Sequence, residues 1–133
     1  MLMLTVQEKG FGFPEHKDEI IQLYLKLMQT VTNPIGLHVH FSKGSFAKMS
    51  SVKKLNMLKY GVNFMKKYLH IKVKDFYSGW SLYDNETVEQ CKQVGLTNFH
   101  YKVSRKPTIP DGVIAVPIRR WIHDFQIKGD ENA

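Results

Sequence analysis

Gly36-Leu37-His38-Val39-His40-Phe41-Ser42-Lys43-Gly44-Ser45-Phe46 is the stretch on which the reading of this chain turns. Asn33-Pro34 stops what precedes it, because the residue before a proline is driven out of helical geometry. Ile35 to Phe41 then reads as a short buried strand, closed by Ser42-Lys43-Gly44. Successive side chains of a strand alternate between its faces, so His38 and His40 share one face while Leu37, Val39 and Phe41 share the other. Two imidazoles on one face suit a divalent metal at neutral pH, since each offers a lone pair at a side-chain pKa of about 6.5. A third ligand is needed, and Glu8, Glu15, His16 and His70 are all candidates that spacing alone does not separate. The structural alternative is a pair of partly buried histidines hydrogen-bonded to backbone or to acids.

Upstream of this strand, Met1 to Val6 is apolar and compatible with a first strand, ended by the loop Lys9-Gly10-Phe11-Gly12-Phe13-Pro14. From Glu15 to Val31 the residues Ile20, Tyr24, Leu27, Met28 and Val31 recur at helical spacing, with acids in the first turn where the helix dipole favours them. Downstream, Ser50 or Ser51 caps a second helix reaching Leu69, with Val52, Leu55, Leu58, Val62, Met65 and Leu69 as its core stripe. Met57, Tyr60, Phe64 and Tyr68 fall on a separate face of it, more readily explained by a helix buried on two sides than by base stacking.

Ile71 to Phe76 reads as a strand, Tyr77 to Tyr83 as an aromatic loop, and Asp84 to Val94 as a short helix ended by Gly95. Phe99 to Ser104 and Val113 to Ile118 are further strands, the last with Pro117 marking it as an edge. Arg119 to Phe125 is a closing turn or helix. Residues 1–127 are expected to form one α/β domain, followed by a polar tail over 128–133.

The chain of 133 residues carries nineteen lysines and arginines against twelve acids, a formal charge of +7, which favours anionic partners such as nucleotides or nucleic acid. No apolar run is long enough to cross a bilayer, and a single cysteine, Cys91, forms no internal disulfide; together these point to a soluble cytoplasmic protein without membrane contact. As a lone residue Cys91 is read as a small hydrophobe.

The segment Gly36 to Phe46, set between an amphipathic helix and a long one, resembles the amidoligase family, ATP-dependent carboxylate-amine ligases of the glutamine-synthetase type. The likeness is dense over Gly36 to Phe46 and topological over about Glu15 to Tyr83. It implies an α+β fold, an antiparallel sheet with two main helices packed on it. It also implies magnesium or manganese and ATP. His38, His40 and Glu8 would then hold metal, Lys43 would contact the nucleotide, and Arg119 and Arg120 would neutralise transferred phosphate. Thr5-Val6-Gln7-Glu8 carries only one of the two carboxylates of the family's first strand, which describes a reduced member that binds without ligating.

A second resemblance is to HUH endonucleases, in which a His-hydrophobe-His strand holds one metal and a helical tyrosine attacks a DNA phosphodiester. Tyr68-Leu69-His70-Ile71-Lys72 has the Tyr-x-x-x-Lys spacing of that nucleophile motif, so this likeness implies Tyr68 as the catalytic residue in nicking single-stranded DNA. A third class is a small basic binding factor without catalysis.

Overall fold

The computed structural model describes residues 1–42 and 44–119. Strands and helices alternate along the chain: β1 (Leu2–Thr5), α1 (Lys17–Thr30), β2 (Ile35–Val39), α2 (Ser51–Leu69), β3 (Asp75–Ser78), α3 (Asn85–Gln93), β4 (Asn98–Lys102) and β5 (Ile114–Ile118). The five strands form one sheet in the order β1-β2-β3-β4-β5, and all four pairings are parallel. The antiparallel sheet implied by the ligase likeness is therefore overturned, and among the described residues the two main helices are joined by a third, the short one expected over Asp84 to Val94. The cause lies in the connections. Each helix between β1 and β4 carries the chain back to the edge it started from, so the next strand must run in the same direction, whereas antiparallel neighbours need only a tight hairpin. Residues 103–113 make the same return from β4 to β5 as an extended, proline-bearing crossover.

Register sorts the strand residues into two faces. Leu4, Leu37, Phe76, Phe99 and Ala115 are consecutive partners across the sheet, and the first four are at most 3% exposed. They form one core with Ile21 of α1, Leu58, Phe64, Met65 and Leu69 of α2, and Val88 and Cys91 of α3. None of the alternate positions, Thr5, His38, Asp75, Tyr77, His100 and Val116 among them, belongs to that core. The helices therefore lie on one face, and the other is a polar face in which strands follow one another in chain order, the construction of a barrel wall.

In α2 the buried positions are Lys54, Leu58, Gly61, Phe64, Met65 and Leu69. Leu58, Met65 and Leu69 match the expected stripe. Val52 does not: it is 67% exposed, and Lys54 is the buried residue of the first turn. Gly61 is the point of closest approach to the sheet, where a Cβ would press on the Leu37 side chain at 2.8 Å. Phe64 is buried, and Met57, Tyr60 and Tyr68 pack beside it against the core, so the aromatic face is a packing face. Cys91 is fully buried and burial pushes its thiol well above the ordinary range, in keeping with a hydrophobic role. The third strand starts later than expected. Asp75–Ser78 is paired where Ile71–Phe76 was anticipated, and Tyr77 is a strand residue. Pro117 lies in β5, which pairs only with β4 among the described residues, consistent with an edge.

Lys54 ties α2 to α3. Its ammonium lies 2.7 Å from Glu86 and 3.7 Å from Asp84, and Ser51 donates to the other Glu86 oxygen at 2.6 Å. Asp84 also caps α3 by accepting from the Thr87 amide at 2.9 Å. Burial acts to raise the Asp84 carboxyl, but the Thr87 hydrogen bonds and Lys54 outweigh it and hold it below its ordinary value. Hydrogen bonds from Lys54 and Ser51 lower Glu86 likewise. Carboxyls depressed in the folded state contribute stability that is present above the unfolded value of about 4 and is lost as pH falls through the folded values. Thermal midpoints of the wild type should thus fall more steeply below about pH 4 than those of Lys54→Met. Parallel slopes for the two proteins would show that the ion pair adds nothing to folding.

Candidate functional site

The polar face is layered. Thr5, His38, Tyr77, His100 and Val116 form one row across the strands, and Asp75 and Asn98 lie in the row nearer the strand starts. Beyond the strand ends, Gln7, His40 and Gly79 make a row at the carboxyl edge. In barrel-type sheets that edge carries the ligand site, because loops of variable length converge there on a rigid wall.

Gln7 extends the pairing of β1 and β2 by one step. Its amide nitrogen donates to the His40 carbonyl at 3.0 Å and its amide oxygen accepts from the His40 backbone N–H at 2.6 Å. Nothing in the sequence marked Gln7; only its burial at 5% exposure and this two-sided bond reveal it as the residue that holds His40 in place. His38 is buried, with Nδ1 2.7 Å from the Tyr77 carbonyl oxygen. A carbonyl only accepts, so in the neutral ring Nδ1 carries the proton and Nε2 the lone pair. The His38 and His40 rings stand perpendicular with centroids 4.6 Å apart. The shared face expected from the His-Val-His spacing is thus the observed arrangement.

Phe11 stacks on His40 at 4.2 Å, and Trp80 meets the same ring edge-on at 4.6 Å. Gly79 permits this crowding: a Cβ there would overlap the His40 ring. The loop bearing Trp80 is braced by Ser78 to the Leu82 carbonyl, by Tyr77 to Ser81, and by Arg105 to the carbonyls of Ser81 and Tyr83. Further along the polar face, Asp75 accepts from His100 at 2.8 Å and from Asn98 at 3.2 Å, a part-buried cluster linking β3 to β4.

Beside His40 a cleft of about 630 Å³ opens between the β1–α1 loop, the end of β2 and the first half of α2. Gln7, Glu8, Lys9, His40, Lys53 and Tyr60 are among its walls. Among the charged lining residues two are cationic and one anionic, and the capped start of α2 adds the positive end of a helix dipole.

The other candidates fall elsewhere. Glu8 is exposed on the cleft wall, and among the described residues no group of three His, Cys, Asp or Glu side chains is placed to hold a metal. His16 is exposed at the start of α1 beside Glu19, and His70 is the exposed C-cap of α2. Tyr68 accepts from Lys17 at 2.8 Å and packs on Phe64. It lies at the last turn of α2 on the helix-covered side, so the structure does not bring it to the histidines. The Lys17 hydrogen bond lowers its hydroxyl below the usual value. Arg119 is exposed just beyond β5, while Lys43 and Arg120 lie outside the described residues.

Among the described residues no helix is long and apolar enough to cross a membrane. Comparison with models of known protein families, with curated proteins and with solved structures finds no match to this chain.

Proposed function

We propose that this chain is a ligand-binding domain built as a barrel wall, taking an anionic small molecule such as a phosphate ester or nucleotide at the carboxyl edge of its sheet. His38 and His40 supply two nitrogen donors to a divalent cation there. One observation carries this reading: two imidazoles converge at the end of a central parallel strand, with the His38 tautomer set by a backbone carbonyl, the usual way a ligating histidine is oriented. The pair furnishes two ligands, leaving the remaining positions to water, to substrate or to a further side chain. Imidazole nitrogen suits manganese better than magnesium, which is a hard cation preferring oxygen. When bound, such a cation neutralises and polarises a phosphate or carbonyl oxygen. Lys9 and Lys53 attract the ligand's negative charge, and Gln7 keeps the His40 backbone in place.

The cation and phosphate parts of the ligase likeness are retained in this reading; its antiparallel sheet is not. DNA nicking by Tyr68 lacks support from the geometry, because that hydroxyl sits on the opposite side of the sheet from the histidines.

Calorimetric titration with manganese and magnesium tests the reading. The wild type should bind manganese more tightly than magnesium. The double variant His38→Ala, His40→Ala should lose more than about a hundredfold in manganese affinity. Equal affinity in both proteins, or none in either, would make the histidines structural and return the chain to the class of basic binding factors.

A further inference from the structure

Phe11 and Trp80 are 53% and 46% exposed, though both are large aromatic residues. They come from different loops, the β1–α1 loop and the β3–α3 loop, yet both meet on the ring of His40. Both also hold left-handed backbone conformations, φ 55° and 54°, and Ser81 follows at 53°. Bulky side chains avoid this region, and residues kept there cluster at ligand sites where the surroundings over-determine them. The two rings lie 5.9 Å apart and tilted by 51°. A third ring sandwiched between them would need about 7 Å, two contact distances of ~3.5 Å. The outer face of Phe11 is thus the open stacking surface, continuing the His40–Phe11 stack, with Trp80 as a side wall.

We infer that Phe11 and Trp80 form a stacking subsite for a nucleobase whose phosphate lies in the adjoining cleft by Lys9 and Lys53. The charge of the chain, +7, selects a phosphate-bearing ligand over a neutral one. Aromatic faces beside lysines stack bases of any sequence, because every base has a π face. Lys9 is two residues from Phe11, and His40 both lines the cleft and carries the stack, so base and phosphate are served by one continuous surface. The inference rests on the cleft being an anion site.

The test compares AMP, ribose 5-phosphate, an oligothymidylate and methyl glucopyranoside by calorimetry, in the wild type and in Phe11→Ala and Trp80→Ala. AMP should bind the wild type at least about tenfold more tightly than ribose 5-phosphate, and Phe11→Ala should reduce that advantage to within about twofold. An oligothymidylate binding more tightly than AMP, with the same dependence on Phe11, would place the base on single-stranded nucleic acid and uphold the subsite. AMP and ribose 5-phosphate binding equally would overturn the subsite and leave the anion cleft standing. Binding of neither would overturn the cleft reading itself. Trp80-dependent binding of the glucopyranoside, without any preference for AMP, would overturn the nucleobase in favour of a sugar ring. Unchanged circular dichroism in the two exposed-site variants keeps each outcome attributable to the ligand contact.

Discussion

Phe99→Ala is expected to lower the unfolding free energy by about 3–5 kcal/mol, the range for removing a buried aromatic ring from a packed core. Phe99 is fully buried in the row Leu4, Leu37, Phe76, Phe99 and Ala115, between Phe76 and Ala115. It packs on Phe76 at 5.9 Å and edge-on to Tyr83 at 5.4 Å. Tyr83 in turn accepts the Lys102 backbone N–H at 2.9 Å and donates to the Arg105 carbonyl at 2.8 Å. Loss of the ring thus loosens the return from β4 as well as the core. Urea denaturation monitored by circular dichroism measures the effect. A loss below about 1 kcal/mol would mean that the sheet collapses over the gap and that the aromatic row is not the centre of the fold.

Gly79→Val is expected to act mainly on the site. Two methyl groups would be driven into the His40 ring, on which Phe11 stacks and whose backbone Gln7 holds on both sides. Overpacking of this kind costs about 1–3 kcal/mol of stability. The larger consequence is that His40 must turn away, so manganese affinity should fall by more than tenfold in a protein whose folded spectrum is retained. Wild-type manganese binding in Gly79→Val would show that the position of His40 is immaterial and would sink the two-histidine site.

The order of elements was largely legible in the sequence. Helical spacing from Glu15 and from Ser51, the breaker Asn33-Pro34 and the Asp84 cap each correspond to a real element. The direction of the strands was legible too, since strands alternating with helices signal a parallel sheet. The antiparallel expectation came from the likeness of a short segment to another family, and a local His-Val-His step does not determine how strands are joined. The shared face of His38 and His40 followed from strand alternation alone. What lay beyond the sequence was their company. Gln7, Gly79, Phe11 and Trp80 are brought to His40 from segments 29 to 40 positions away in the chain, and no periodicity records such a meeting. Val52 misled for the opposite reason: its apolar side chain fits the helical stripe, but Lys54 takes the buried place because Glu86 and Asp84 meet it there.

Strands laid down in chain order have a bearing on how the molecule is made. Each strand from β2 onward pairs with the one translated immediately before it, so the ribosome releases each when one of its neighbours already exists. No strand waits for a later one to be inserted between earlier partners. Contacts stay comparatively local for a parallel sheet, which shortens the loops that must close at each step. The nascent domain grows from one side like a wall laid course by course, and the surroundings of His40 are filled in midway, because Gly79 and Trp80 follow the histidine strand but precede β4 and β5.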